Sequence, residues 1–199
     1  MRITSTIAIV AVIVGLPALI LVSVFESPHK GVSYIEKFVN KSADELVIQT
    51  HELPPERPPL NWDQFLLGPT EAEDIPGMLH HRLVVYNRQY VDSTISKIVI
   101  VEQASQRVYT FNSTTDAAAF YATRVAKFEN DNYQTVLDRA ISESVCRSFY
   151  NRTEVLDITV APCRYGNIVF EAKGVSMEFI SKNRVDTLIK LTENKIKMP

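Results

Sequence analysis

The chain has 199 residues, with 21 Lys and Arg against 23 Asp and Glu and a formal net charge of −2. So even a balance leaves no electrostatic footprint for nucleic acid, and no nucleic-acid partner is expected. The 2 cysteines lack the Cys-x-x-Cys spacing of a redox or zinc site.

After a short tail, 1–6, that carries Arg2, residues 7–25 read IAIVAVIVGLPALILVSVF, without a charge and with one hydroxyl, Ser23. At about 1.5 Å per residue such a run is long enough to cross a hydrocarbon core of about 30 Å, and it is expected to be a single-pass transmembrane anchor. A cleaved signal peptide is the alternative. Cutting after Leu16-Pro17-Ala18 would leave a mature chain that starts LILVSVF, and Leu21-Val22-Ser23 puts a bulky residue where a small one is needed. Lys30, Lys37 and Lys41 beyond the run taken alone favour a cytoplasmic domain. A minimal basic tail before a first apolar segment is instead the layout of an export signal, which places the bulk of the chain outside the cytoplasm at the cell membrane.

Residues 26–60 read as an amphipathic helix and a Pro-rich connector. Pro28 and Gly31 interrupt the apolar run. Val32, Ile35, Phe38, Val39, Leu46 and Val47 then recur at helical spacing. This stripe, Val32 to Val47, packs on the protein's own core or, alternatively, on the membrane surface or a partner protein. LPPERPP at 53–59 is extended and semi-rigid, so the domain boundary is placed near residue 60.

Residues 61–199 have the pattern of an α+β domain, a mainly antiparallel sheet with helices. Residues 61–67 are short and ambiguous, residues 69–74 suit one helical turn capped by Thr70, and Ile75-Pro76-Gly77 is a turn signal. Residues 79–90 form a strand centred on Leu83-Val84-Val85-Tyr86. The run ISKIVIVE at 95–102 predicts a central strand covered on both faces, continued or followed by 107–111. The Asn112-Ser113-Thr114-Thr115-Asp116 cluster opens a helix to about residue 129, whose Ala117, Phe120, Tyr121, Val125 and Phe128 face the sheet. Tyr133, Val136, Leu137, Ala140 and Ile141 predict a second, shorter helix. Strands follow at 144–150, 155–161 and 167–172, with Tyr165-Gly166-Asn167 as a tight turn, and a final helix spans 183–197.

Candidate chemistry is sparse. Cys146 and Cys163 sit in extended stretches, and in an oxidising compartment their simplest reading is one disulfide between neighbouring strands, with two buried free thiols as the alternative. His80 and His81 are adjacent on a strand, so their side chains point to opposite faces and do not converge on one metal. His51 and Glu52 read as solvated. Asp63, Glu71, Glu73 and Asp74 read as a solvated acidic loop or, less simply, a hard-cation site. Arg147 and Arg164 each follow a cysteine and suit either strand-edge solvation or an anion clamp. Asn-x-Ser/Thr sequons at Asn40, Asn112 and Asn151 occur at near-chance frequency. No Gly-rich phosphate loop, nucleophile elbow or zinc-spaced set is present, and no catalytic residue, cofactor or metal is expected.

The succession of Leu66-Leu67, Asp74-Ile75-Pro76-Gly77, the strand and aromatic-bearing helix of 108–125, Arg164-Tyr165-Gly166-Asn167-Ile168-Val169-Phe170 and a terminal helix resembles prokaryotic membrane-anchored or lipid-anchored extracytoplasmic domains of unknown function. The resemblance covers residues 64–197. It implies an antiparallel sheet with helices packed on one face and an accessory or binding role, and it supplies no catalytic residues. A chain without a cysteine after its apolar segment differs from the lipid-anchored members. The function expected is a membrane-anchored extracytoplasmic binding or accessory module. The alternatives are a small envelope-associated enzyme whose residues converge only in the fold, or a structural subunit of a membrane complex.

Overall fold

A computed structural model describes residues 37–55, 60–67, 75–141, 144–176 and 181–199. Seven strands, β1 (Asn61–Leu67), β2 (Met78–Asp92), β3 (Lys97–Phe111), β4 (Gln134–Ile141), β5 (Ser144–Arg152), β6 (Asp157–Tyr165) and β7 (Ile168–Ser176), form one sheet in the order β1-β2-β3-β7-β6-β5-β4. Every pairing is antiparallel. Two meanders, β1 to β3 and β4 to β7, meet along β3 and β7. The helices are α1 (Ala43–Leu46), α2 (Thr114–Asn130) and α3 (Ser181–Lys197).

The alternation of strand side chains decides where the helices go. Ala104 and Val108 of β3, Ile168, Phe170 and Ala172 of β7 and Ala161, Cys163 and Tyr165 of β6 pack with Leu46 of α1 and with Val185, Leu188, Ile189 and Ile196 of α3. The intervening Tyr109, Phe111 and Val169 pack with Ala117 and Phe120 of α2. Helices therefore cover both faces, which corrects the expectation that they pack on one. The physical reason lies in β6 and β7, nearly every residue of which is buried, so that each needs cover on both sides.

Three further elements differ from their sequence patterns. Residues 134–141 are β4 rather than a helix: the helical spacing of Tyr133, Val136 and Leu137 is overridden by pairing with β5, through a register shift between Thr135 and Leu137. The apolar run at 95–102 is not central. Only β2 pairs with residues 97–100, β7 joining from Glu102, and Ile95, Ile98 and Ile100 are exposed. Finally, the stretch set apart as a connector is core. Val39, Ala43, Leu46, Val47, Ile48 and Leu53 are all buried, while Phe38 faces outward. Its helix is only the 4-residue α1, held by a capping box in which the Ser42 hydroxyl accepts from the Glu45 amide and the Glu45 carboxylate accepts from the Ser42 amide. The globular body thus includes residues 37–55. Residues 7–25, 69–74, Val32 and Ile35 lie outside the described residues, and no helix among the described residues is long and apolar enough to cross a membrane.

Two polar clamps hold this strap. The fully buried amide of Gln106 accepts from the Ile48 amide at 2.9 Å and donates to the Leu46 carbonyl at 3.2 Å and to the Thr192 hydroxyl of α3 at 2.8 Å. The Tyr86 hydroxyl of β2 donates to the Ile48 carbonyl at 2.8 Å. At the β6–β7 turn, the Asn167 side chain accepts from the Val39 amide at 2.7 Å and donates to the Val39 and Phe111 carbonyls at 3.2 and 2.9 Å. Gly166 precedes it at φ +56, and a Cβ there would lie 1.9 Å from the Lys37 carbonyl oxygen. Only glycine fits both the left-handed backbone and that approach.

The expected α2, terminal helix and tight turn are present. Ser113 caps α2 by accepting from the Asp116 amide at 3.0 Å. Cys146 and Cys163, directly opposite each other on β5 and β6, are joined by a disulfide buried on the α3 side.

Gln106→Ala removes partners from three buried backbone or hydroxyl groups at once. It is expected to lower unfolding free energy by about 3 kcal/mol, read from the urea midpoint of the full chain. Complete reduction of the disulfide is expected to cost a similar amount, about 3 kcal/mol, in the same measurement.

Candidate functional site

Helix α2 lies over β6, β7 and β3, and beside its C-terminal half the same sheet face opens into a cavity of about 270 Å³. Sheet register builds the floor. Leu83, Arg107 and Glu171 form one row across β2, β3 and β7; Val85, Ser105 and Lys173 form the next; Gln103 and Val175 close it. Arg124, Lys127 and Phe128, three and four residues apart on α2, supply one wall, and Tyr133 stands at its end.

Charge in this groove is unevenly neutralised. The Glu171 carboxylate, 6% exposed, accepts from both Nη2 and Nε of Arg124 at 2.6 and 3.1 Å. That pair cancels. Arg107, Lys127 and Lys173 remain, and among the described residues neither lysine side chain has a hydrogen bond or ion pair. Beside the groove, the Tyr109 phenol is pushed above its ordinary 10.0 by burial and by the Glu171 charge, against the opposing pull of Arg124 and Arg107. Burial, then Asp131 and Glu171, raises Tyr133 in the same way. Both phenols therefore stay protonated at neutral pH and can donate.

None of the residues singled out in the sequence as candidate chemistry lines this groove. His80 is exposed, and His81 stacks on Tyr109 with ring centroids 4.4 Å apart and planes 2° from parallel. Among the described residues no group of three His, Cys, Asp or Glu is placed to hold a metal. The Asp63 carboxylate accepts from the Gln64 amide at 2.9 Å and the Gln89 amide at 3.4 Å, while Glu71, Glu73 and Asp74 lie outside the described residues. Arg147 pairs with Glu129 at 2.5 Å and Arg164 donates to the Thr114 carbonyl at 3.5 Å. These contacts lie at opposite ends of α2, so the two arginines do not make one clamp. Glu52 is not simply solvated: it accepts from the Gln49 amide at 2.6 Å and pairs with Lys195 at 2.8 Å. Its burial alone would raise the carboxyl, but those two partners hold it below the usual carboxylate value.

The groove residues escaped the sequence because they belong to three segments united only by register. Arg124 and Lys127 stand between apolar helix positions and read as a solvated helix face. Glu171 and Lys173 alternate with Phe170 and Ala172 of β7, a half-signal that they share the face opposite to the α3-side core.

Arg124→Met leaves a buried carboxylate without its cation and is expected to cost about 3 kcal/mol of stability. Lys127→Met and Lys173→Met, which break no pair, are expected to stay within about 0.5 kcal/mol. Urea midpoints of the three variants check the contrast.

The chain matches no protein-family model. Comparison with curated proteins also finds no match. Among solved structures it is similar to the extracellular domain of PknH from Mycobacterium tuberculosis, with a TM-score of 0.49 and 11% identity over 85% of this chain and 100% of that one.

Proposed function

We propose that the chain is a membrane-anchored extracytoplasmic binding module, with residues 7–25 as its single-pass anchor and the groove beside α2 as its ligand site. The observation that carries this reading is the pair of lysines, Lys127 and Lys173, that border a cavity yet have no counter-charge among the described residues. Two cations left without a counter-charge around a concave site suit an arriving anionic ligand. The groove's titratable groups are cations, high-lying phenols and one carboxylate tied to Arg124. Such a set holds charge rather than moving a proton between an acid and a base near neutral pH.

Location rests on two supports. The uncharged run is long enough to span a bilayer. The buried disulfide suits an oxidising compartment, the side of the membrane opposite the reducing cytoplasm. Of the stripe, Val39, Leu46 and Val47 lie in the core, while Phe38 is exposed.

Native mass spectrometry of the full chain, released gently from its own membrane, tests the reading. The wild type is expected to carry a small-molecule adduct that is absent from a Lys127→Glu/Lys173→Glu double variant of unchanged stability. A bare wild type, or an adduct retained by both, overturns it.

A further inference from the structure

Resting on the reading of the groove as the ligand site, we propose that its ligand is a phosphate monoester, a compact dianion carried on an apolar or aromatic body. Three cations from three elements border the cavity: Arg107 from β3, which also hydrogen-bonds the Tyr109 phenol, and Lys127 from α2 and Lys173 from β7, whose side chains have no ion pair among the described residues. Arg124 does not add to them, because Glu171 has taken it. Arg107 pairs with Glu171 and Ser105 with Lys173 across β3 and β7, so Arg107 and Lys173 are diagonal neighbours on one face. Side chains so placed have Cβ atoms within about 7–8 Å, which lets both reach one anion lying between them.

A tetrahedral anion suits that arrangement better than a planar one. It turns oxygen atoms toward the strands and toward the helix wall together, so that the two strand cations and Lys127 each meet an acceptor, and the Ser105 hydroxyl lies in the same row as Lys173. A second negative charge is favoured because a monoanion would leave two of the three cations bare. The rest of the lining is of another kind. Leu83, Val85, Phe128 and Val175, with the Tyr133 ring, form an apolar surface beside the charges. A cavity of about 270 Å³ leaves room there for a small group and excludes a polyanionic chain from entering whole.

The test uses the full chain in phosphatidylcholine nanodiscs, titrated calorimetrically with phenyl phosphate and with benzyl alcohol as its neutral counterpart. Phenyl phosphate is expected to bind, to weaken about tenfold in each of Lys127→Gln and Lys173→Gln, and to weaken as salt is raised. Unchanged urea midpoints show that the variants are folded. Discs that contain phosphatidic acid separate two sources of the same chemistry. Loss of phenyl phosphate binding in those discs assigns the ligand to a lipid headgroup, and retention assigns it to a soluble monoester. Benzyl alcohol bound as tightly as phenyl phosphate overturns the dianion but leaves the groove as a site. Failure of both to bind a wild type that still carries its native adduct also overturns the dianion alone, and failure together with a bare wild type overturns both proposals.

Discussion

One buried amide ties the layers of this domain together. Gln106 sits at full burial in β3 and meets the strap at Leu46 and Ile48 and helix α3 at Thr192, while Tyr86 of β2 completes the circle at Ile48. The strap between α1 and the 3-10 turn at Thr50–Glu52 is irregular backbone, which can be buried only if its amides and carbonyls are satisfied. Gln106 supplies one donor and one acceptor where no neighbouring strand does. Without them the Ile48 amide and the Leu46 carbonyl would be buried without those partners. Buried, fully satisfied polar groups of this kind cost stability when broken and fix a single arrangement when whole.

The two faces of the sheet solve different problems. On the α3 side, aliphatic and aromatic residues close a continuous core, and the helix end is stitched down by Lys41, which donates to the Lys195 and Met198 carbonyls at 2.6 and 2.5 Å, and by Lys195, which donates to the Val47 carbonyl at 2.6 Å. On the α2 side the helix covers only the middle strands. The uncovered remainder is where charge gathers, because long cationic side chains can lay their stems on apolar floor while keeping their heads in water. Both helices contact β3, β6 and β7, but only the α3 face has the strap to complete its cover.

Elements whose signals are local were legible in the sequence. The Ser113 cap of α2, the Gly166-Asn167 turn, the disulfide and the terminal helix each depend on a few adjacent residues or on a simple pairing of extended stretches. What escaped depends on partners distant along the chain. Val136 and Leu137 fit a helix until β5 pairs with Thr135 and Leu137 on either side of a register shift, and Ile98 and Ile100 look central until β7 is seen to join only from Glu102. The candidate site was least legible of all. Lys127 and Lys173 acquire meaning only when β3, β7 and α2 are aligned, and each alone is an ordinary surface lysine.

The Asn167 clamp also fixes how the domain would bear a mechanical load. Along the described chain, tension from the N-terminal side meets Val39, which is bonded at both its amide and its carbonyl to Asn167, itself bonded in turn to Phe111. The pull is therefore delivered to the junction of β6, β7 and β3 in the middle of the sheet. A load borne there falls on the ends of three neighbouring inner strands together, and not on one edge strand.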